Sequence, residues 1–183
     1  PELLAAISRL GFETPTPVQA QVIPRLLENK GDLVALAQTG TGKTAAFGLP
    51  ILTMLDHDNR APQALVLCPT RELCVQIARD MEAYAACSSK VRILAVYGGT
   101  PIDQQLRALK RGVHVVVGTP GRMLDIMRRG RINLTGIQRV ILDEADEMLN
   151  MGFEEDLEAI LAGVPDEAHT LLFSATMPRQ VAS

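Results

Sequence analysis

The pattern with the clearest chemical meaning is a glycine-rich loop that carries a lysine and a threonine. An apolar run, Leu33–Ala37, leads into Gly40-Thr41-Gly42-Lys43-Thr44, and helix-forming residues follow directly. A loop that opens a helix turns several backbone N–H groups toward one point, and the helix dipole adds to their positive field. The pattern predicts an anion site in which Lys43 meets nucleotide phosphates and Thr44 supplies a hydroxyl to Mg²⁺.

One position departs from the usual phosphate-loop pattern, because Ala37 stands where a glycine usually begins the loop. We expect the nucleotide to contact Gln38, Thr39 and the run from Gly40 to Thr44. The alternative is a glycine turn between a strand and a helix, with Lys43 in solvent.

A pair of carboxylates follows another apolar run further along the chain. Val140-Ile141-Leu142 leads into Asp143-Glu144-Ala145-Asp146. A carboxylate that leaves a strand beside a phosphate loop can hold Mg²⁺, and the next carboxylate can align the water that attacks the γ-phosphate. We assign the first role to Asp143 and the second to Glu144, and we group Lys43 with them as catalytic. Acidic clusters at strand ends are common, but this one lies downstream of the glycine loop, which favours the catalytic interpretation.

The elements that must position these residues are short apolar runs that alternate with amphipathic segments. In segment 71–85, for example, Leu73, Ile77, Met81 and Tyr84 recur at helical spacing. Nearly continuous apolar runs are typical of parallel strands covered on both faces, so we predict a doubly wound α/β sheet with helices on both faces. Ligands of such sheets gather at the carboxyl ends of the strands. The predicted strands are Leu33–Ala37, Ala64–Cys68, Ile93–Tyr97, Val113–Val117, Val140–Leu142 and Leu171–Phe173.

Three of the predicted strands end in loops that could meet a row of phosphates. They are Pro69-Thr70-Arg71, Gly98-Gly99-Thr100 and Thr119-Pro120-Gly121-Arg122. Each offers small residues, hydroxyls or backbone N–H groups at a helix start, and two add an arginine. Singly, each is more often only a capped turn. Three on one edge would follow a sugar–phosphate backbone without reading bases, and aromatic residues are too few, at 3%, for stacking to dominate.

A turn and a capped helix precede the glycine loop. Thr16 can cap this helix, and Pro17 fits its first position. Gln19 in the first turn has two interpretations. The first is an ordinary polar residue, which residue type alone favours. The second is a carboxamide that pairs with the N6 and N7 edge of adenine.

Composition and charge limit the class of protein. The chain has 183 residues, 47% hydrophobic and 21% charged, as expected for one domain with its own core. It carries neither an apolar run near 20 residues nor a signal-like start, so we expect a cytoplasmic protein without a membrane partner. The three cysteines lack metal spacing, and we expect Cys68 and Cys74 to be buried reduced thiols.

The net charge of −3 hides a segregation of sign. Segment 107–131 holds seven basic residues and one acid, whereas segment 143–167 holds ten acids and no lysine or arginine. The first segment could bind a polyanion, but two solvated faces of opposite sign explain the pattern equally well.

Taken together, the motifs resemble those of the DEAD-box RNA helicases, specifically their N-terminal RecA-like P-loop NTPase domain, and the resemblance covers nearly all of residues 1–183. Within this family, the sequence most resembles the bacterial members. The motifs that carry the resemblance are, in family order, Phe12–Gln19, Ala37–Thr44, Pro69–Leu73, Gly98-Gly99, Thr119–Arg122, Asp143–Asp146 and Ser174–Thr176.

The resemblance implies roles for these motifs beyond the residue chemistry. ATP would be bound by Phe12, Thr14, Gln19 and the phosphate loop, and the three strand-end loops would hold single-stranded RNA. Ser174 and Thr176 would couple hydrolysis to strand separation, with Asp146 as their partner. The family usually has an adenine-stacking aromatic residue before the first motif, and this sequence has none there. A second, C-terminal RecA-like domain that supplies an arginine is also implied, and it lies outside residues 1–183.

Two rival functions remain open at this stage. Another P-loop ATPase, such as a DNA translocase, would share the phosphate loop, but the combination of Pro69–Leu73 with Asp143–Asp146 argues against it. The other rival is a non-enzymatic, nucleotide-gated RNA clamp. ATP turnover of the full-length protein, stimulated by RNA or by DNA, distinguishes all three.

Overall fold

A computed structural model describes residues 2–28, 31–38 and 42–177. Helices and strands alternate along the chain, as the change between strand-like and helical apolar spacing predicts. The strands are β1 (Leu33–Leu36), β2 (Ala64–Leu67), β3 (Ile93–Val96), β4 (Val115–Gly118), β5 (Arg139–Leu142) and β6 (His169–Ser174). The helices are α1 (Glu2–Arg9), α2 (Pro17–Leu27), α3 (Lys43–Met54), α4 (Arg71–Tyr84), α5 (Ile102–Arg111), α6 (Pro120–Arg128), α7 (Ala145–Asn150) and α8 (Glu154–Ala162).

The strands form one sheet in which every pairing is parallel. Their order is β1-β6-β5-β2-β4-β3, so β5 lies between β6 and β2. The predicted α/β architecture is therefore confirmed. All six strands end at the same side of the sheet, which we call the carboxyl edge: the segments that directly follow Leu36, Leu67, Val96, Gly118, Leu142 and Ser174.

The core consists of two apolar layers, one on each face of the sheet. Strand β2 shows the division, because Ala64 and Val66 pack into one layer while Leu65 and Leu67 pack into the other. This alternation follows from the two-residue period of a strand. Helices α3 and α4 cover the first face, and α6 and α8 cover the second, so the prediction of helices on both faces is confirmed for the interior strands.

Two details differ from the sequence-based expectation. Strand β4 begins at Val115 rather than Val113, because the N–H of Val113 donates to the carbonyl of Arg60 and not to a neighbouring strand. Strand β1 is not covered on both faces by the residues that the structure describes. It lies at one end of the sheet, where Val34 and Leu36 are 47% and 61% exposed.

The helix before the glycine loop begins as predicted. Thr16 is its N-cap and Pro17 its first residue, and a reciprocal capping box joins Thr16 to Gln19. Cys68 and Cys74 are buried free thiols, also as predicted. A hydrogen bond with Cys74 and burial both raise the pKa of Cys68, which keeps this thiol protonated. Among the described residues, none of the helices is both long and apolar enough to cross a membrane.

Candidate active site

The glycine loop connects the end of β1 to the start of α3. Gly42 is the N-cap of α3 and has a left-handed φ of +79°, which the absence of a Cβ permits. Lys43 begins the helix and is only 6% exposed, and Thr44 follows in the same turn, half-buried. Gln38 is exposed at the end of β1. The predicted nucleotide contacts of Thr39, Gly40 and Thr41 lie outside the described residues.

Lys43 joins the glycine loop to the two carboxylates at the end of β5. Its ammonium nitrogen lies 2.9 Å from Oδ1 of Asp143 and 3.8 Å from Oε1 of Glu144. Asp143 is completely buried. Burial raises the pKa of Asp143, and the ammonium of Lys43 opposes that rise. The three residues that we predicted to be catalytic are thus in contact.

The backbone at Glu144 is strained. Its φ is +51°, and Glu144 is the single non-glycine residue with a positive φ in the part of the chain described. A left-handed conformation costs an L-residue roughly 1–2 kcal/mol. The N–H of Glu144 donates to Oδ1 of Asp143, which helps to hold the turn. Such strain at the end of a strand is typical of functional sites.

The second oxygen of Asp143 satisfies a simple test for a bound cation. Oδ2 is buried, and it has no hydrogen-bond partner among the residues that the structure describes. A buried carboxylate oxygen without a donor is costly unless a cation completes its coordination. Together with the hydroxyl of Thr44 in the adjoining helix turn, this oxygen provides the hard ligands that Mg²⁺ prefers. The residues present therefore fit the predicted metal.

Gln19 contacts the glycine loop directly. Its Nε2 donates to the carbonyl of Gly42 over 3.1 Å, and its Oε1 accepts from the N–H of Thr16 over 3.0 Å. A carboxamide has two donor hydrogens and two acceptor lone pairs, so one of each remains available. One donor and one acceptor are what pairing with the N6 and N7 edge of adenine requires. The structure thus gives Gln19 a packing role that the sequence did not indicate and leaves the predicted adenine contact feasible.

Two other residues predicted to bind nucleotide lie before α2. Thr14 is exposed in a bend. Phe12 is 43% exposed, and its ring lies 6.0 Å from the ring of Tyr84 at the end of α4. This contact gives Phe12 a packing role, and its role toward the nucleotide stays a prediction.

The loops after β2 and β3 meet at the carboxyl edge. Thr70 caps α4 through its hydroxyl, which accepts from the N–H of Leu73. The guanidinium of Arg71 lies 4.9 Å from the centre of the Tyr97 ring, within the range of a cation–π contact. Pro69 is buried, so it shapes this loop and does not present its ring to a ligand.

The loop after β4 reaches the same place. Thr119 is the N-cap of α6, and Pro120, the first helical residue, is buried, whereas Gly121 is exposed. Arg122 donates to Oε1 of Gln105 and to the carbonyl of Thr100, both over 2.9 Å. The structure thus brings all three predicted loops together, with Gly98 and Gly99 exposed between them.

The carboxyl edge also holds the residues predicted to couple hydrolysis to strand separation. The N–H and the hydroxyl of Thr176 donate to Oδ2 of Asp146 over 3.1 and 3.0 Å. Burial raises the pKa of Asp146, but these donors, together with the N–H of Glu147, more than offset it, so the net pKa lies below the ordinary value. Ser174 lowers the pKa of Asp146 by a smaller amount. Its buried hydroxyl has no hydrogen-bond partner of ordinary geometry among the described residues. The predicted contact is present, and the coupling role stays a prediction.

Sequence reasoning missed Gln105 and Tyr97. Gln105 lies on the inner face of α5, where Ile102, Leu106 and Leu109 pack into the core. A polar residue at a position that helical periodicity assigns to the core was the available signal. The basic segment is also divided by the structure, because Arg122 lies in the first turn of α6 at the carboxyl edge while Arg128 ends the same helix.

Comparison with known proteins agrees with this geometry. A family model described as DEAD/DEAH box helicase matches residues 16–183. The DEAD-box ATP-dependent RNA helicase CshA of Geobacillus kaustophilus is 56% identical over 177 residues, which are 97% of this chain and 38% of that protein. The ATP-dependent RNA helicase DeaD of Escherichia coli is 52% identical over 179 residues, 98% of this chain and 28% of that protein. The chain thus spans less than two fifths of these relatives.

Solved structures show the same fold. A DEAD box protein from Methanococcus jannaschii superposes with a TM-score of 0.94 at 46% identity, over 99% of this chain and 49% of that one. A hypothetical ATP-dependent RNA helicase from Sulfolobus tokodaii gives a TM-score of 0.89 at 38% identity, over 99% and 52% of the two chains. The predicted RecA-like fold is thereby confirmed. The motifs, their geometry and these similarities agree: the chain belongs to the DEAD/DEAH box helicase family.

Proposed function

We propose that this chain is the ATP- and RNA-binding domain of an ATP-dependent RNA helicase. The observation that carries the proposal is the contact of Lys43 with Asp143 and Glu144. It joins a phosphate-binding loop to a metal-binding and a water-aligning carboxylate within one buried group. The named relatives are described as ATP-dependent RNA helicases, which supports the choice of reaction.

The electrostatics of the buried group explain how nucleotide binding would rearrange it. Phosphate oxygens compete with Asp143 and Glu144 for the ammonium of Lys43. When Lys43 turns to the phosphates, Asp143 loses its counter-charge while it remains buried. A second cation must then neutralise it, because an isolated buried carboxylate is strongly unfavourable. Asp143 and Thr44 would hold Mg²⁺, which would supply that charge and neutralise the phosphates.

The remaining residues have distinct tasks in this proposal. Glu144, whose side chain is 25% exposed, accepts a hydrogen bond from the water that attacks the γ-phosphate and aligns it. Gln19 contacts the adenine edge with its free donor and acceptor. The loops that carry Arg71, Gly98-Gly99 and Thr119 hold the RNA backbone. The contact between Asp146 and Thr176 transmits hydrolysis to the RNA side, and a C-terminal RecA-like domain of the same protein completes both sites.

The test is ATP turnover by the full-length protein that contains this chain, with RNA or DNA of the same sequence added. RNA should stimulate turnover, and DNA of the same sequence should not. Lys43→Ala should abolish the stimulation, because the phosphates lose the ammonium group of Lys43. Equal stimulation by DNA would indicate a nucleic-acid translocase of another kind. ATP-controlled retention of RNA without turnover would indicate a clamp. Either outcome would refute the proposal.

A further inference from the structure

Gln105 is a buried polar residue in a helix face that is otherwise apolar. Its side chain belongs to α5 and is only 7% exposed. Ile102, Leu106 and Leu109 on the same helix pack against the core. A buried carboxamide destabilises a fold unless its donors and acceptor are satisfied, so its partners indicate why a glutamine stands there.

The hydrogen-bond partners of Gln105 belong to two of the loops at the carboxyl edge. Nε2 donates to the carbonyl of Tyr97 over 3.2 Å and lies 3.4 Å from the hydroxyl of Thr100. Oε1 accepts from Arg122 over 2.9 Å, and the other terminal nitrogen of Arg122 donates to the carbonyl of Thr100 over 2.9 Å. One carboxamide thus connects the loop after β3 to the first turn of α6.

These contacts hold both ends of the glycine pair. Tyr97 precedes Gly98, and Thr100 follows Gly99, which has a left-handed φ of +81°. A Cβ built on Gly98 would find no atom within 4 Å, so little packing restrains that residue itself. The conformation of the pair is therefore set from its ends, by Gln105 and Arg122.

The same connection reaches the loop after β2. The ring of Tyr97, whose carbonyl accepts from Gln105, lies beneath the guanidinium of Arg71. A Cβ on Gly99 would lie 3.6 Å from a terminal nitrogen of Arg71. Strands β2, β4 and β3 are neighbours in the sheet, so their loops are adjacent. Gln105 contacts the loop after β3 and the first turn of α6 directly, and it reaches the loop after β2 through Tyr97.

We infer that Gln105 is a positioning residue for RNA binding. It fixes the spacing of the three loops, so that their donors meet successive phosphates without rearrangement. Preorganisation of this kind increases affinity because less conformational freedom is lost on binding. Only an amide suffices, since the site needs a donor toward Tyr97 and an acceptor toward Arg122; glutamate lacks the donor, and methionine lacks both. The inference rests on the proposed RNA-binding function.

The test compares two substitutions on one helix turn. Gln105→Met removes the hydrogen bonds at nearly constant volume, and Gln104→Met makes the same chemical change at the exposed neighbouring position. Binding of a fluorescent oligouridine and of a non-hydrolysable ATP analogue is measured for the full-length protein that contains this chain and for both variants. We expect Gln105→Met to weaken RNA binding by about tenfold, the effect of one hydrogen bond to a charged group. Its affinity for the analogue should stay within about twofold, and Gln104→Met should leave both affinities unchanged.

Two further variants separate positioning from general stability. Gln105→Glu keeps the acceptor toward Arg122 and should bind RNA with an affinity between those of wild type and Gln105→Met. In an Arg122→Met background, Gln105→Met should add little further loss, because both residues act through the same contacts. Fully additive losses would overturn the inferred route through Arg122.

The remaining outcomes each decide a different point. A Gln105→Met chain that binds RNA as tightly as wild type would overturn the inference, as would one that loses affinity for RNA and the ATP analogue alike. A wild-type full-length protein that binds the analogue but not the oligouridine would instead overturn the proposed RNA-binding function. The two failures are therefore distinguishable.

Discussion

A Gly42→Ala substitution tests the contact between Gln19 and the phosphate loop. A Cβ at this position would lie 2.5 Å from Nε2 of Gln19 and 3.0 Å from Oγ1 of Thr16. The first distance is too short for any real contact. Because Nε2 is the end of a flexible side chain, the carboxamide of Gln19 will move away and lose its hydrogen bond to the carbonyl of Gly42.

The expected loss of unfolding free energy in Gly42→Ala has two contributions, and a control variant separates them. The left-handed φ of +79° costs an alanine about 1–2 kcal/mol. Loss of the Gln19 hydrogen bond and disturbance of the cap at Thr16 add about 1–2 kcal/mol. Gly130 has a φ of +64° and no atom within 4 Å of a built Cβ, so Gly130→Ala carries the strain without the clash. The free energy of unfolding, measured in urea, should therefore fall further for Gly42→Ala than for Gly130→Ala.

Nucleotide selectivity provides the functional measurement. A bidentate contact to a base edge contributes about 1–3 kcal/mol of discrimination, so displacing Gln19 should reduce the preference for ATP over GTP by on the order of tenfold or more. Gln19→Ala should lose the same preference, and Gly130→Ala should retain it. The ratio of the two affinities is the informative quantity, because damage to the phosphate loop weakens both nucleotides alike. An unchanged ratio in Gly42→Ala would refute the assignment of Gln19 as the adenine-reading residue.

Three more predictions concern the carboxylates and the isolated chain. In the full-length protein, Glu144→Gln should slow ATP hydrolysis by about 10²- to 10⁴-fold while ATP still binds, whereas Lys43→Ala should weaken binding itself; equal loss of ATP affinity in both variants would contradict this division. Asp146 has a pKa below its ordinary value, so its contacts stabilise the fold above the unfolded pKa of about 3.9, and that stabilisation is lost as pH falls through the folded value. Asp146→Asn should flatten the acid limb of a plot of unfolding free energy against pH, and an unchanged limb would show that Asp146 contributes nothing there. The 183-residue chain alone should bind ATP weakly, hydrolyse it barely and separate no duplex, because an arginine from a second domain typically contributes 10³–10⁵ in rate; strong unwinding by this chain would disprove the two-domain mechanism.

The strands and the grouping of Lys43 with Asp143 and Glu144 were predictable, because local sequence patterns specify the strands and the residues that directly follow them. Val140-Ile141-Leu142 identifies a buried strand, and a carboxylate directly after it must lie at the carboxyl edge. The contact of Lys43 with Asp143 then follows from the parallel topology. The role of each residue in this group still depends on the tests above.

The contacts that hold the loops after β2, β3 and β4 were not predictable, because they join residues distant in sequence. Arg71 and Tyr97 meet only once β2 and β3 are placed in one sheet with β4 between them. Gln105 and Arg122 are 17 residues apart and belong to different helices. Arg122 was predicted to face RNA; the structure shows that two of its donors are directed to Gln105 and to the carbonyl of Thr100, and its contact with RNA stays a prediction. The residue type of Arg122 indicated a positive charge at the carboxyl edge, but it did not indicate where the side chain points.

Strand β1 has a consequence for handling the domain in isolation. In the described part of the chain it forms one end of the sheet, and it presents Val34 and Leu36 to solvent from the same face. An open strand with exposed apolar side chains is a template on which another molecule can add a strand. Self-association of the domain should therefore grow with protein concentration, and a lysine at position 36 should suppress it. The strand that leads into the phosphate loop is thus also a site at which the isolated domain should self-associate.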